Sequence, residues 1–401
     1  MRFPTLLIAL ALAFALGGAN ASAKSAGPKR QVPPGFMGAV SDGPLDNPAI
    51  GLDGEYRLMV RTGVESIRVA FYWDVAQPYA TSADVPPDQR ARFRDAGGVP
   101  TDFAQSDRLV LAAARQGLSV LPVVLLAPVW ARKHPEREWS PPSRPDTYAR
   151  FVQALVRRYG PRGSFWAEHR RLTKIPIRDW QIWNEPNGPR FWDDEPPYGG
   201  VPNAAYQRPY IDLLHAAHDA IKAADPRARV VIAGFFGQSW YVLGFLYDFD
   251  RKVRRYFDVA AIHPFTAQPE NVKFIVRSTR AVMNANGDRR KPLFLTEMSW
   301  PSAAGRPNQG FGFEVSESEQ AKRLRAAYSL LVSGHPRFGV ERIFWYTWAS
   351  YDRAPETFSF AGLRRWNGRR LVSKPAFSAF RSTALALEGC PRGKRSVSRC
   401  R

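Results

Sequence analysis

Short apolar stretches alternate with longer amphipathic stretches along most of this sequence. Each apolar stretch has the length and residue pattern of a buried strand, and each longer stretch has helical spacing. The predicted strands cover residues 35–40, 64–71, 118–126, 177–185, 229–234, 257–263, 292–297 and 340–348. The predicted helices cover residues 47–62, 102–116, 145–159, 204–224, 241–253, 269–286, 316–333 and 374–387.

This alternation constrains the fold strongly. A strand that is followed by a helix pairs in parallel with the next strand, so the pattern predicts an α/β protein with a parallel sheet. Eight such units in a chain of 401 residues indicate a closed (β/α)8 TIM barrel rather than an open sheet. No Gly-x-Gly-x-x-Gly follows the first strand, which argues against a dinucleotide-binding fold. We therefore predict a single catalytic domain over residues 35–388.

The two ends of the chain differ in composition from this domain. Residues 1–23 have a positive start, a short apolar core and a small-residue end, which predicts a secretory signal peptide, with an uncleaved membrane anchor as the alternative. Residues 24–34 are basic and contain prolines, and we expect a disordered leader. Residues 389–401 form a basic tail that contains both cysteines, Cys390 and Cys400. In an exported protein we expect these two to form a local disulfide.

The charge balance bears on partners and localisation. Lys and Arg number 57 and Asp and Glu number 36, which gives a net charge of +21. Such a surface favours anionic partners. The sequence has no zinc finger or other nucleic-acid motif, so we expect no nucleic-acid partner. For a secreted, extracellular protein, anionic cell-wall polymers or extracellular polysaccharides fit better, with wall association as a consequence. A basic surface without any dedicated partner is the alternative.

Two glutamates occupy matching positions in the predicted barrel. Glu185 lies in Trp-Asn-Glu-Pro-Asn, residues 183–187, where the following proline cannot continue the ladder of the fourth strand. Glu297 ends the seventh strand, in Leu-Thr-Glu-Met-Ser-Trp, residues 295–300. Catalytic groups of such barrels lie at the carboxyl ends of the strands. Paired acids among aromatic residues suggest cleavage of glycosidic bonds. A salt bridge at the barrel rim is the alternative for either residue.

The two runs resemble the strand-four and strand-seven signatures of clan A glycoside hydrolases. The similarity covers about residues 35–387 and is nearest to family 39 and related cellulase-like TIM-barrel hydrolases. It implies that Glu185 is the acid/base and Glu297 the nucleophile of a retaining enzyme that acts on β-linked oligosaccharides or polysaccharides. It also implies a carbohydrate substrate, no metal and no cofactor. We further expect a monomer.

The resemblance extends to several residues that would bind the substrate. It implies that Asn184 donates to the sugar 2-hydroxyl and that Arg68 is the positive partner of Glu297. The other substrate-binding candidates are His263, Trp183, Trp300, Trp345 and Trp348. A structural ion pair is the alternative for Arg68, and a buried core position is the alternative for His263 and the tryptophans.

One position departs from the clan pattern. Many members carry His-x-Tyr on strand six, and the tyrosine hydroxyl bonds the nucleophile. This chain has His263-Pro264-Phe265, so another group must orient Glu297, and Tyr346 and His263 are the candidates. A transglycosylase with the same residues and a catalytically silent glycan-binding barrel are the alternative functions. Trp130 and Trp192 are candidates for the rim of the cleft.

Overall fold

A computed structural model describes residues 29–194 and 206–389. The barrel strands are β1 Met37–Val40, β2 Ser66–Tyr72, β3 Ser119–Leu125, β4 Asp179–Ile182, β5 in two segments Arg229–Val231 and Phe235–Phe236, β6 Ala260–His263, β7 Leu293–Met298 and β8 Val340–Trp345. The helices that follow them are α1 Leu52–Thr62, α2 Ala104–Gln116, α3 Pro145–Tyr159, α4 Gln207–Ala224, α5 Ser239–Phe249, α6 Pro269–Ala285, α7 Glu317–Phe338 and α8 Pro375–Leu387. The expected (β/α)8 architecture is confirmed.

The barrel is closed through β5. Its first segment pairs in parallel with β4, and its second segment pairs in parallel with β6. A parallel bridge between Val231 and Val259 joins the first segment to the start of the sixth strand as well. The β1–β8 pairing completes the ring on the other side. All of these pairings are parallel, so every carboxyl end opens on the same face of the barrel.

Burial explains why the strands and helices differ in sequence pattern. Barrel strands are covered on both faces, and β3 is accordingly apolar and buried from Val120 to Leu125. The outer helices bury only one face, as in α3, where Tyr148, Val152 and Leu155 are buried at helical spacing. No helix in the described ranges is long and apolar enough to cross a membrane.

Several predicted boundaries were wrong because tertiary contacts decided them. The helix predicted from residue 47 begins at Leu52, and a 3-10 turn at Gly43–Asp46 precedes it. Between the second strand and the next helix, where no strand was predicted, Arg94–Asp95 pairs with Pro100–Thr101 in a short antiparallel ribbon. The eighth strand ends at Trp345 rather than at residue 348.

The described part of the predicted leader is ordered, so this prediction was wrong for residues 29–34. Val32 is buried, and the Gln31 amide donates to the carbonyl of Leu387 at 2.8 Å. The Arg30 guanidinium lies 2.5 Å from the carboxylate of Glu65, a side chain that is almost fully buried. A buried carboxylate needs such a partner, and the sequence does not reveal its burial. The predicted signal peptide and the Cys390–Cys400 disulfide lie outside the described residues.

Candidate active site

Glu185 and Glu297 meet at the open end of the barrel. Glu185 lies in the loop after β4, and Glu297 lies near the end of β7. The two carboxylates and the imidazole of His263 each offer one atom within 4.8 Å of the others. Residues 112 positions apart in sequence therefore share one small space, and both carboxylates line the same cavity.

The backbone after β4 turns sharply to place Glu185. The strand ends at Ile182, three residues before the predicted end, because Trp183 adopts a left-handed φ of 65°. Glu185 has a φ of 40°, which is also uncommon for a residue with a side chain. Hydrogen bonds to both neighbouring strands hold this turn: Trp183 donates to Val124 and Glu185 donates to Gly234. Strained backbone of this kind concentrates at functional sites.

Arg68 holds one side of the site together. Its guanidinium donates to Glu297 Oε1, to Asn184 Oδ1 and to Gln181 Oε1, each at 2.7 Å. Arg68 is 3% exposed, so its charge is little screened by water. Arg68 is thus the positive partner of Glu297, as the resemblance implied. The bond to Asn184 occupies the amide oxygen and leaves the amide nitrogen to donate elsewhere.

His263 holds the other side. Its Nδ1 lies 2.5 Å from Glu185 Oε1, and its Nε2 lies 2.9 Å from the hydroxyl of Thr296. That hydroxyl accepts a hydrogen bond from Gln181 at 3.3 Å, so its own hydrogen can go to His263 Nε2. His263 Nδ1 then carries the ring hydrogen and donates to Glu185. Glu185 Oε2 stays free for a proton.

The close approach of His263 also explains a glycine. A Cβ atom at Gly234 would lie 2.0 Å from His263 Nε2, so a side chain there would collide with the imidazole. Gly234 lies between the two segments of β5, where its missing side chain makes room for the ring. The structure thus places His263 in the site, in contact with Glu185 at 2.5 Å and with Glu297 at 3.7 Å.

Burial sets the protonation of these groups. It raises the pKa of Glu185 to about 7 and also raises the pKa of Glu297. Arg68 bonds Glu297 directly and not Glu185, so the proton that the two acids share goes to Glu185. Burial lowers the pKa of His263 to about 3, so its imidazole is neutral at neutral pH. Of these two acids, the geometry therefore favours the proton on Glu185 and the negative charge on Glu297.

Asp42 is a third acid at the site that the sequence analysis missed. It follows β1, and burial raises its pKa to about 7, while hydrogen bonds from Thr347 and Tyr346 favour its charged form. Asp42 is close enough to Glu297 for its charge to raise the pKa of that carboxyl group. The signal was available, because an acid just after a predicted barrel strand is the feature that singled out Glu185. Tyr346 bonds Asp42, so Arg68 is the group that orients Glu297.

The four tryptophans that were substrate-binding candidates are core residues, which was the alternative for these positions. Trp183, Trp300, Trp345 and Trp348 have no exposed surface. Their indole N–H groups donate to partners inside the protein, as Trp300 does to Thr266 at 2.7 Å. These residues lie at or just after the ends of barrel strands, as the sequence pattern indicated, but their side chains are buried inside the protein.

The two rim candidates also lie away from the cavity. Trp192 is 1% exposed and packs edge-on against Trp183. Trp130 packs edge-on against Trp73, and its indole N–H donates to the carbonyl of Gln77 at 2.8 Å. The structure therefore brings together Glu185, Glu297, Asn184, Arg68 and His263 and excludes all of the tryptophan candidates from the cavity wall.

Phenylalanines, and not the tryptophan candidates, supply most of the aromatic lining of the cavity. The cavity has a volume of about 390 Å³, within the range usual for small-molecule sites. Its aromatic lining consists of Phe191, Phe236, Phe265, Phe311, Phe313, Phe358 and Tyr346. These residues come from loops whose shapes the sequence pattern does not determine. The sequence signals for them were Phe265 after strand six and the two phenylalanines at 311–313 in a glycine-rich stretch.

The site has side chains that could bind a cation, but its positive charge disfavours one. Glu185, His263 and Glu297 could each supply one ligand. The guanidinium of Arg68 already lies 2.7 Å from Glu297, and a divalent cation beside it would meet a like charge that is little screened. The residues therefore fit proton transfer better than metal binding.

No protein-family model and no curated protein matches this chain. Several solved structures are similar to it in fold. A family 39 glycoside hydrolase from the gut symbiont Bacteroides cellulosilyticus has a TM-score of 0.61 at 19% identity and covers 88% of this chain. A glucosidase from Croceicoccus marinus has a TM-score of 0.60 at 14% identity and covers 90%. A monomeric β-xylosidase from Caulobacter crescentus has a TM-score of 0.58 at 19% identity and covers 89%.

The fold is that of the clan A glycoside hydrolases. The expected resemblance to this clan and to family 39 is therefore confirmed for the fold. This chain spans 64% of the family 39 structure, 69% of the glucosidase and 68% of the β-xylosidase. At these identities a shared barrel does not carry an activity from one protein to another, so the function has to be argued from the site.

Proposed function

We propose that this chain is a retaining glycoside hydrolase that cleaves β-glycosidic bonds by double displacement. The observation that supports this most directly is the separation of the two carboxyl groups. Retaining enzymes hold their acids about 5–5.5 Å apart, whereas inverting enzymes need about 6.5–9.5 Å to admit a water. Glu185 and Glu297 offer oxygens within 4.8 Å of each other, which fits the retaining class.

In the first step Glu297 attacks the anomeric carbon, and its carboxylate oxygen forms a bond to that carbon. The bond from the anomeric carbon to the leaving oxygen breaks at the same time. Glu185 Oε2 gives its proton to the leaving oxygen, which departs as an alcohol. The raised pKa of Glu185 keeps this proton available at neutral pH, and Arg68 keeps Glu297 ionised.

In the second step a water replaces the leaving group. Glu185, now ionised, takes a proton from this water, and the water oxygen attacks the anomeric carbon and releases Glu297. The neutral imidazole of His263 donates to Glu185 Oε1 and stabilises the carboxylate that forms in the first step. Asn184 has its amide oxygen fixed by Arg68, so its amide nitrogen can donate to the sugar 2-hydroxyl.

The test is hydrolysis of a panel of aryl β-glycosides with purified protein and with two single variants. Glu297→Gln should lose turnover on every substrate by at least about a thousandfold, since the covalent intermediate cannot form. Glu185→Ala should regain turnover on an activated aryl glycoside when azide is added, and the product should be a β-glycosyl azide. An α-configured azide product, or full activity in Glu297→Gln, would contradict the assignment.

Two alternatives share this site and are separated by products. Release of reducing sugar without added acceptor supports hydrolysis, whereas a product that forms only with a sugar acceptor supports transglycosylation. Binding without turnover over the panel would leave a glycan-binding barrel. The buried, protonated Glu185 argues against that last function, since burying an acid destabilises a fold that has no use for it.

We also propose that the protein is secreted and associates with anionic polymers through its charge of +21. Exposed arginines that lack a rigid geometry bind such polymers by charge alone, and salt screens this interaction. Release of the protein from anionic polysaccharide between about 0.1 and 1 M NaCl would support the proposal. Retention at the highest salt would contradict it.

A further inference from the structure

One wall of the active-site cavity is built from five packed aromatic rings. Phe265 and Phe358 have ring centroids 4.7 Å apart, and Phe313 lies 5.8 Å from Phe358. Phe311 stacks on Phe313 at 5.7 Å, and Tyr346 lies 5.8 Å from Phe358. The rings come from the loops after β6, β7 and β8, and they form one continuous surface.

The wall begins at the reacting groups and runs outward. Phe265 is two residues from His263, and Tyr346 lies next to β8, so both lie near the carboxylates. Phe311 is at the outer end, where its side chain is 51% exposed. Phe236, on the β5 side, is 37% exposed and lines the same cavity. The cavity thus has a polar floor and an apolar mouth.

Among the residues that the structure describes, the polar groups of the cavity are sufficient for one sugar ring and scarce beyond it. The floor offers the two carboxyl groups and the amide of Asn184. Beyond the floor, Arg190 is the polar side chain among the described lining residues, since the hydroxyl of Tyr346 lies near the carboxylates and bonds Asp42. A second sugar ring at the mouth would lose water from its hydroxyls without gaining partners, and this desolvation is unfavourable.

The angles between the rings describe the shape of this apolar wall. The rings of this wall face in several directions: Phe313 lies nearly parallel to Phe265 and Phe311, at 13° and 10°, whereas the rings around Tyr346 are steeply crossed. Phe265 crosses Tyr346 at 86°, and Tyr346 crosses Phe358 at 82°. Such an arrangement makes a curved apolar surface of ring edges and faces. A compact apolar group can contact several of these edges and faces at once.

We propose that the physiological substrates are glycosides with an apolar aryl or alkyl aglycone, which occupies the phenylalanine-lined mouth. This inference rests on the proposed hydrolase function and names its leaving group. One sugar ring lies on the polar floor, and the oxygen that receives the proton of Glu185 belongs to the apolar alcohol or phenol. Contact with this group would cover Phe311 and Phe236, which are otherwise left exposed to water.

A homologous series of alkyl glycosides tests this directly. Methyl, butyl and hexyl β-glycosides of one sugar have leaving groups of nearly equal reactivity and differ in apolar area. Burial of each methylene should raise kcat/KM by up to about fourfold, so hexyl should exceed methyl by at least about tenfold. A flat series, or a preference for a β-linked disaccharide over the hexyl glycoside, would overturn the inference.

Two matched variants test whether the preference for the longer alkyl group arises at the phenylalanine-lined mouth. Phe311→Ser should reduce the hexyl-to-methyl ratio by at least about threefold, because part of the apolar wall is lost. Phe245→Ser removes a phenylalanine of similar exposure, 58%, from α5 and should leave the ratio as in the parent protein. An unchanged ratio in Phe311→Ser would overturn the inference.

A binding measurement separates this inference from the hydrolase proposal. Hexyl and methyl β-D-glucosides are titrated calorimetrically into Glu297→Gln, and tighter binding of the hexyl glycoside is expected. Selective binding with no turnover in the parent protein would refute the hydrolase proposal alone. Turnover without any aglycone preference would refute this inference alone. Equal binding of the two glucosides, or no binding of the hexyl compound, would also overturn it.

Discussion

Replacing Glu185 with glutamine should stabilise the folded protein above neutral pH. The buried carboxyl group has its pKa raised from 4.5 to about 7, so the folded state resists ionisation. Between these values the unfolded chain releases a proton that the folded protein keeps, and stability therefore falls as the pH rises. At about 1.4 kcal/mol per pKa unit, this amounts to about 3 kcal/mol by pH 8.

The side chain is only 12% exposed, so little of this effect is lost to screening by solvent. Glutamine has nearly the same shape, and its amide oxygen can still accept from His263 Nδ1. Glu185→Gln lacks the ionisation and should thus be about 3 kcal/mol more stable than the parent protein at pH 8. Near pH 4 the two proteins should be almost equally stable, since the carboxyl group is protonated in both states.

Urea unfolding at pH 4, 6 and 8, followed by tryptophan fluorescence, measures this difference. Glu168→Gln is the control, because Arg158 lowers the pKa of Glu168 to about 2 and the sign reverses. Its stabilisation is present above pH 4.5 and is lost as the pH falls towards 2, so this variant should be less stable than the parent at pH 8. A stability difference for Glu185→Gln that stays constant from pH 4 to pH 8 would refute the reasoning.

Three further predictions concern activity and the site network. The kcat/KM of the parent protein should fall tenfold per pH unit above about pH 7, because Glu185 must carry its proton, and a pH–rate profile with a basic limb above pH 9 would contradict this. Arg68→Met should lower the free energy of unfolding by about 3–5 kcal/mol, because Glu297 is left buried without its positive partner. Urea unfolding at pH 7 measures this loss of stability. Thr296→Val should shift the basic limb of the same pH–rate profile, because His263 Nε2 loses its hydrogen-bond partner. Circular dichroism should show that this variant stays folded. An unshifted limb would argue that His263 does not tune the pKa of Glu185.

The sequence was sufficient for the barrel and for the two glutamates. Strands buried on both faces must be continuously apolar, and helices buried on one face must be amphipathic, so periodicity alone indicated eight β/α units. Parallel strands bring all their carboxyl ends to one face. Glu185 and Glu297 therefore had to lie at the same opening, although the sequence could not give the distance between them.

The sequence pattern did not predict the backbone geometry after β4. Proline at position 186 suggested that β4 runs to Glu185, whereas the strand ends at Ile182 and the chain turns through Trp183. Hydrogen bonds to Val124 on β3 and to Gly234 between the two segments of β5 hold this turn. Residues distant in sequence supply these partners, so local pattern does not reveal them.

Side-chain direction decided what lines the cavity. Position along a strand placed Trp300, Trp345 and Trp348 near the opening, but all three side chains are fully buried. Loops supply the phenylalanines that line the cavity instead, and loop shape depends on packing against other loops. Periodicity is a property of neighbouring residues and determined the scaffold and its two acids. The environment of those acids arises from residues that meet only in three dimensions, so the folded structure alone decided their pKa values and the apolar mouth beside them.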